Sequence, residues 1–292
     1  MENERQDEEE IGYPVKFEEL NSFIERCFLE EPGPGTTPAQ RDNDEKTIGY
    51  IVPCDSYETS GYCAAWAYKR IAETSFKDVY IIISHNDSRE SKVILSDWDS
   101  PLGVVRTYHS LGEELNKLTN ISISKADKEK DKLIQRQIPL LQYASRDKLN
   151  SLRVLCISLG KGIEKEQIYT LSSALKRILK EQNKEATFIC ASNLVHYGER
   201  FGYVPFVYNI KESIEDLDYH AIEIIEQKDE SEFVSFVEKE RTTIYGYKAI
   251  ALFLCLVDKS TQNKMLEYYK SDIFNKRKRV EESVSYLSYE FL

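Results

Sequence analysis

Short, mainly apolar runs rich in β-branched residues, alternating with helical stretches, constrain this chain more than any other feature. Val79 to Ile83 (VYIII), Leu152 to Gly160 (LRVLCISLG) and Thr187 to Ser192 (TFICAS) are too short for helices and too continuous for half-solvated strands. Strands of that kind are buried on both faces, which requires helices above and below the sheet. Between them, Ile168, Leu171, Leu175 and Ile178 fall on one helical stripe. Strand–helix alternation of this sort predicts an α/β fold, a central sheet flanked by helices on both faces.

The remaining segments fit the same plan. Phe17, Leu20, Phe23, Ile24 and Phe28 carry helical spacing, and residues 31–45 concentrate Pro, Gly, Asp and Asn as a loop. Ile48 to Val52 reads as a strand ending at Pro53. A helix capped by Ser60 follows, with Ala64, Ala65 and Ala67 small enough to pack closely on a sheet. Three helices are expected around Ile214–Ile224, Phe233–Val237 and Ala249–Val257, then an alternating closing strand over Val284–Tyr289. No repeat or linker divides the chain. Residues 1–12 form an expected disordered acidic tail and 13–292 a single domain.

Charge and cysteine usage narrow the function classes. The 292 residues carry a net charge of −11, and the first ten (MENERQDEEE) hold six acids against Arg5. Such a run repels itself and stays solvated. A mildly acidic remainder argues against nonspecific or sequence-specific DNA binding, which needs local positive charge. Cys27, Cys54, Cys63, Cys156, Cys190 and Cys255 show no C-x-x-C pair, so neither a zinc ribbon nor a disulfide framework is suggested. The longest apolar run, Ala249 to Val257, falls far short of the ~20 residues of a membrane helix. With no basic, then apolar, leader at residue 1, the expectation is a cytoplasmic protein with no membrane partner.

Generic catalytic motifs are absent: no phosphate loop, dinucleotide fingerprint, nucleophile elbow or H-E-x-x-H occurs. Leu159-Gly160-Lys161-Gly162 ends a strand before a helix, where a phosphate could sit, though a glycine turn explains it as well. Of four histidines, His109 and His220 fall on polar helices. His85 and His196 follow the strands at 79–83 and 187–191, the sheet ends where open α/β folds place ligand residues. A metal or catalytic site and a pair of hydrogen-bonded loop histidines both remain open on this spacing.

At and around these positions the chain carries segments similar to those of one known family. Pro53-Cys54-Asp55-Ser56-Tyr57 with the following Ala-rich helix resembles that family's Pro-His-Ala-Gly-Tyr segment, and Ile83-Ser84-His85-Asn86 resembles its Ser-His-His. Ser192-Asn193-Leu194-Val195-His196-Tyr197-Gly198-Glu199-Arg200-Phe201 is similar to its Ser-Asp-x-x-His-x-Gly-x-Arg-Phe. Ile244-Tyr245-Gly246 falls on its Ile-Cys-Gly, and Ser283-Val284-Ser285-Tyr286 on its final strand. On these segments the chain resembles the Memo family, and the resemblance implies a fold like the class III extradiol non-haem iron dioxygenases, and a pocket where two histidines and a cysteine bind copper or iron. Position by position, those ligands fall on Cys54, His85 and Tyr245, with Asn193 and His196 as neighbours. A further family stretch, Glu-His-Ser-x-Glu-x-His-Leu-Pro, falls on Lys132 to Pro139, placing Gln135 and Gln137 on its second Glu and second His, and Lys132 on its first His.

The departures decide what to expect. A phenol titrating near ~10 replaces a thiolate at Tyr245, while Asn193 and Gln135 remove two carboxylates and leave no carboxylate base. Cys54 and His85 alone could still hold Cu(I) or Zn(II), a thin set. The pocket of Cys54, His85, Gln135, Gln137, Asn193, His196 and Tyr245 is therefore expected to be vestigial, without cofactor or catalytic residue. The expected function is a binding protein. Two alternatives stay open: a copper- or iron-dependent oxidoreductase with altered ligands, and a phosphopeptide module using His85, His196 and Arg200. Lys276-Arg277-Lys278-Arg279, a basic run in an acidic chain, is the expected partner contact. The chain favours Lys, Ile, Asn and Tyr, as AT-rich coding sequences of reduced genomes do; proteins retained there often serve large assemblies. That makes a ribonucleoprotein such as the ribosome the candidate partner.

Overall fold

The computed structural model describes residues 8, 10–42, 44–125, 131–274 and 281–292. The buried runs form the centre of one large sheet. Its strands are β1 (Gly49–Val52), β2 (Val79–Asn86), β3 (Lys92–Ile94), β4 (Trp98–Ser100), β5 (Gly103–Thr107), β6 (Ser122–Ser124), β7 (Arg153–Gly160), β8 (Ala186–Ala191), β9 (His196–Tyr197), β10 (Asn263–Lys270) and β11 (Ser283–Phe291). The sheet order is β10-β11-β1-β8-β2-β7-β3-β6, and β1, β8, β2 and β7 run parallel. The helices are α1 (Phe17–Leu29), α2 (Tyr57–Glu73), α3 (His109–Thr119), α4 (Lys132–Ala144), α5 (Lys165–Glu181), α6 (Ile210–Gln227), α7 (Glu230–Glu240) and α8 (Tyr247–Leu256).

Strand alternation distributes the core between two faces. Val79, Ile81 and Ile83 of β2 and Leu155, Ile157 and Leu159 of β7 pack with α3, α5, α6, α7 and α8. Tyr80 and Ile82, with Val154 and Cys156, pack on the opposite face against α1, α2 and α4. Helices thus cover both faces, as the continuous runs predicted. No helix among the described residues is long and apolar enough to cross a membrane.

Several local expectations change. Helix α2 begins at Tyr57 after Ser56, and Ser60 lies inside it, its hydroxyl donating to Asp55 O and Ser56 O. Strand β2 runs on to Asn86, so His85 is in the strand rather than beyond it. Strand β11 is buried along its whole length, not alternating. Its Ser288 hydroxyl donates to Cys63 O, and Glu290 is enclosed by Arg70, Lys264 and Tyr50. Both faces can be covered because these polar residues find partners inside. Glu10, Ile11 and Gly12, placed in the tail by charge, are docked on α4 and α2.

Candidate functional site

The parallel strands bring their carboxyl ends together, and the family-like positions gather there. Cys54 lies two residues beyond β1, His85 near the end of β2, Asn193 just after β8, and His196 on the short β9. Strand β9 pairs with β11 through Val284↔His196, which fixes the histidine's depth. Helix α8 starts unusually close: a Cβ on Gly246 would lie 2.2 Å from Ser192 Oγ and 3.0 Å from His85 Nδ1, so only glycine fits.

Two histidines in this pocket have different environments. His196 Nδ1 lies 3.0 Å from Leu194 O and 2.9 Å from Thr243 O. Carbonyls only accept, so Nδ1 carries the proton of the neutral ring and Nε2 holds the lone pair. The ring packs between Tyr245 and Phe201, with centroids 4.8 and 5.1 Å away. Desolvation pushes its pKa down to about 4, against the pull of the carbonyls and Asp55. His85 is also held below the usual range by desolvation, opposed by Asp131 and Asp87, and its buried Nδ1 has no hydrogen-bond partner among the described residues. The exposed histidines, His109 and His220, stand apart on α3 and α6.

The substituted positions are occupied with the protein's own hydrogen bonds. Asn193 Oδ1 accepts the Cys54 amide at 2.9 Å and lies 3.8 Å from its Sγ. Gln137, fully buried, accepts from Tyr68 Oη at 2.9 Å and donates to Pro53 O at 3.1 Å. Gln135 donates to Tyr13 Oη and Asp99 O and so faces the N-terminal segment rather than the Cys54–His85 pocket. Tyr245 is half-exposed at the rim, its hydroxyl donating to Phe201 O at 3.3 Å, so it is not an inward ligand. Arg200 is exposed, 3.7 Å from Glu282 and stacked on Phe201, and Lys132 pairs with Glu10.

The expectation that no carboxylate remains near the pocket is wrong. Asp131 caps α4, accepting from Leu133 N and Ile134 N, and its other oxygen takes the hydroxyls of Ser84 and Ser158, each at 2.6 Å. It lines a cavity of about 360 Å³ with His85, Asn86 and Lys92. Asp55 accepts from Tyr286 Oη at 3.0 Å and from Ser56 N, with Arg136 at 3.9 Å. An Asp just before the apolar-periodic residues of a helix is an N-cap signal that could have located Asp131. Asp55 carried no such signal. The Gly160–Gly162 turn is no phosphate cradle: its three amides donate to Ser91 Oγ, Ser88 O and Arg89 O.

This donor set does not suit a redox metal. Burial pushes the Cys54 thiol strongly up, and the Tyr245 phenol is raised by the same cause. No group of three or more His, Cys, Asp or Glu among the described residues could hold a metal ion. With Tyr245 turned to the rim and the amides at 135, 137 and 193 engaged internally, the residues present do not supply the donor set for copper or iron at the positions that the resemblance implies.

Comparison with known proteins places the chain. A MEMO1 family protein of Nitrosopumilus maritimus is 26% identical over 266 residues, covering 89% of each chain. One from Methanobrevibacter smithii is 26% identical, covering 84% of this chain and 83% of that protein. With the Pyrococcus furiosus member, 27% identical, the match spans 64% of this chain and 63% of that protein, under two thirds of its length. An uncharacterised protein of Escherichia coli K12 shares the fold, with a TM-score of 0.54 at 11% identity over 84% of this chain and 99% of that one. The model of the Memo-like protein family matches residues 11–290, and the chain belongs to the Memo family.

Proposed function

We propose that this chain is a non-enzymatic Memo-family binding protein of the cytoplasm that docks on a protein or ribonucleoprotein, with the ribosome as candidate. One observation carries the reading: the amides at 135, 137 and 193, where the family places Glu, His and Asp, are satisfied from within. Asn193 holds the Cys54 amide, Gln137 holds Tyr68 and Pro53, and Gln135 holds Tyr13 and Asp99. A side chain spent on an internal hydrogen bond is not available to a metal or substrate without leaving its partner unpaired. The expected contact, Lys276, Arg277, Lys278 and Arg279, lies outside the described residues, so the partner side rests on charge alone.

The oxidoreductase alternative keeps one favourable observation, the lone pair on His196 Nε2 in the same pocket as His85. The phosphopeptide alternative is weakened by the engagement of Arg200 with Glu282 and Phe201. Low-salt affinity purification from native cells, with mass spectrometry and elemental analysis of the same sample, separates them. Co-purifying ribosomal particles with substoichiometric copper and iron support the binding reading. A free protein with one copper or iron per chain, removable only by a chelator, would overturn it.

A further inference from the structure

Residues 10–15 lie across two elements that frame the pocket: the loop 54–57 and the first turns of α4. Ile11 O accepts from Arg136 Nε at 2.7 Å, and Gly12 O accepts the Tyr57 amide at 2.8 Å. Tyr13, buried, receives Gln135 Nε2 on its hydroxyl at 2.8 Å and packs on Tyr57 with centroids 5.3 Å apart. The same Arg136 donates to Cys54 O at 3.1 Å, so one guanidinium joins the segment to the residue standing at a family ligand position. Tyr57 Oη closes the circuit by donating to Arg136 O at 2.6 Å.

We propose that residues 10–15 are a strap that holds the Cys54 loop against α4 and thereby controls the exposure of Cys54. The tight point is Gly12. Its φ of +88° belongs to the glycine region, and an added Cβ would lie 2.8 Å from Arg136 Nε and 3.1 Å from Ser56 Cα. Gln135 is fitted to the strap as well. Its amide donates both to Tyr13 Oη and to the Asp99 carbonyl, and a glutamate could not donate to that carbonyl. The strap goes beyond the binding reading and holds whether or not the pocket takes a partner. Its expected behaviour is local opening, in which a weakly held segment detaches while the core stays folded.

Alkylation of the full-length protein, with peptide mapping of each cysteine, tests it. Gly12→Ala should raise the Cys54 rate at least tenfold while the buried Cys156 and Cys190 label as in wild type, and the Tyr57 amide should exchange faster. Tyr13→Phe, which keeps the ring and loses only the hydroxyl, should give a smaller rise with the same selectivity. It decides the matter if Gly12→Ala does not fold. Wild-type Cys54 labelling in the folded variants, or an equal rise at all three cysteines, would overturn the strap.

Discussion

Asn193 Oδ1 takes the backbone N–H of Cys54 at 2.9 Å, pinning the chain leaving β8 to the chain leaving β1. Both residues are buried, so neither group has water as an alternative partner. The amide oxygen of Asn193 is engaged with the backbone at the base of the pocket. Asn193→Ala should therefore destabilise the protein by about 1–3 kcal/mol, the cost of leaving a buried donor unpaired. Thermal or denaturant unfolding measures this, and a change under half a kilocalorie would remove the pin from the account.

Gln137 makes a second case, separable by a double substitution. Gln137→Leu strands both Tyr68 Oη and Pro53 O in the core, each of which now meets the Gln137 amide. A loss of about 2–4 kcal/mol is expected from two unpaired groups after partial relaxation. Adding Tyr68→Phe removes one orphan, so the double variant should be more stable than Gln137→Leu alone. Additive losses in the cycle would show that the two side chains do not interact.

These two residues also show where sequence reading stops. The α/β class was legible because β2, β7 and β8 are continuous apolar runs, and burial on both sheet faces follows directly from that pattern. Gln137 and Asn193 were legible as departures from a family pattern, but their new partners were not. Gln137 meets Pro53 across 84 positions and Tyr68 across 69, and no local periodicity encodes those meetings. Short strands β3 to β6 were missed because three to five residues carry too little pattern. Glu290 and Ser288 of β11 broke the expected alternation because the partners that satisfy them, Tyr50, Arg70 and Cys63, lie far away in sequence. Tyr245 was assigned to the pocket by position alone, and its side chain turns to the rim.

The basic run yields a prediction independent of the pocket. Converting Lys276, Arg277, Lys278 and Arg279 to Glu should release the protein from a phosphate-bearing partner. Wild-type association should weaken steeply between low and moderate salt, because each neutralised phosphate releases counterions. Stability should move by only a few tenths of a kcal/mol. Co-sedimentation of both proteins with ribosomes or total RNA at two salt concentrations measures the effect. Equal pelleting, or none of either, would remove the run as the partner contact.

Two buried titrating groups give opposite pH dependences that hide each other. Asp218 on α6 accepts from Val195 N at 3.1 Å and Tyr268 Oη at 2.8 Å, and burial raises its pKa to about 7 despite those bonds. Its folded value lies above its unfolded one, so its contribution is full at acid pH and is lost as pH rises through about 7. His196, held down to about 4 by desolvation, behaves in reverse: its contribution is present above its unfolded value near ~6.5 and is lost as pH falls through about 4. Between about 4 and 6.5 the native state binds one extra proton at Asp218 and one fewer at His196, so their slopes cancel. Asp218→Asn should unmask the histidine, giving stability that rises with pH across that window. His196→Asn, which retains a donor for the carbonyls of Leu194 and Thr243, should unmask the aspartate and give stability that falls with pH. Each slope can reach about 1.4 kcal/mol per pH unit for one proton. Denaturant unfolding of the three proteins from pH 4 to 7 is the measurement, and slopes of the same sign in both variants would refute the opposed assignment.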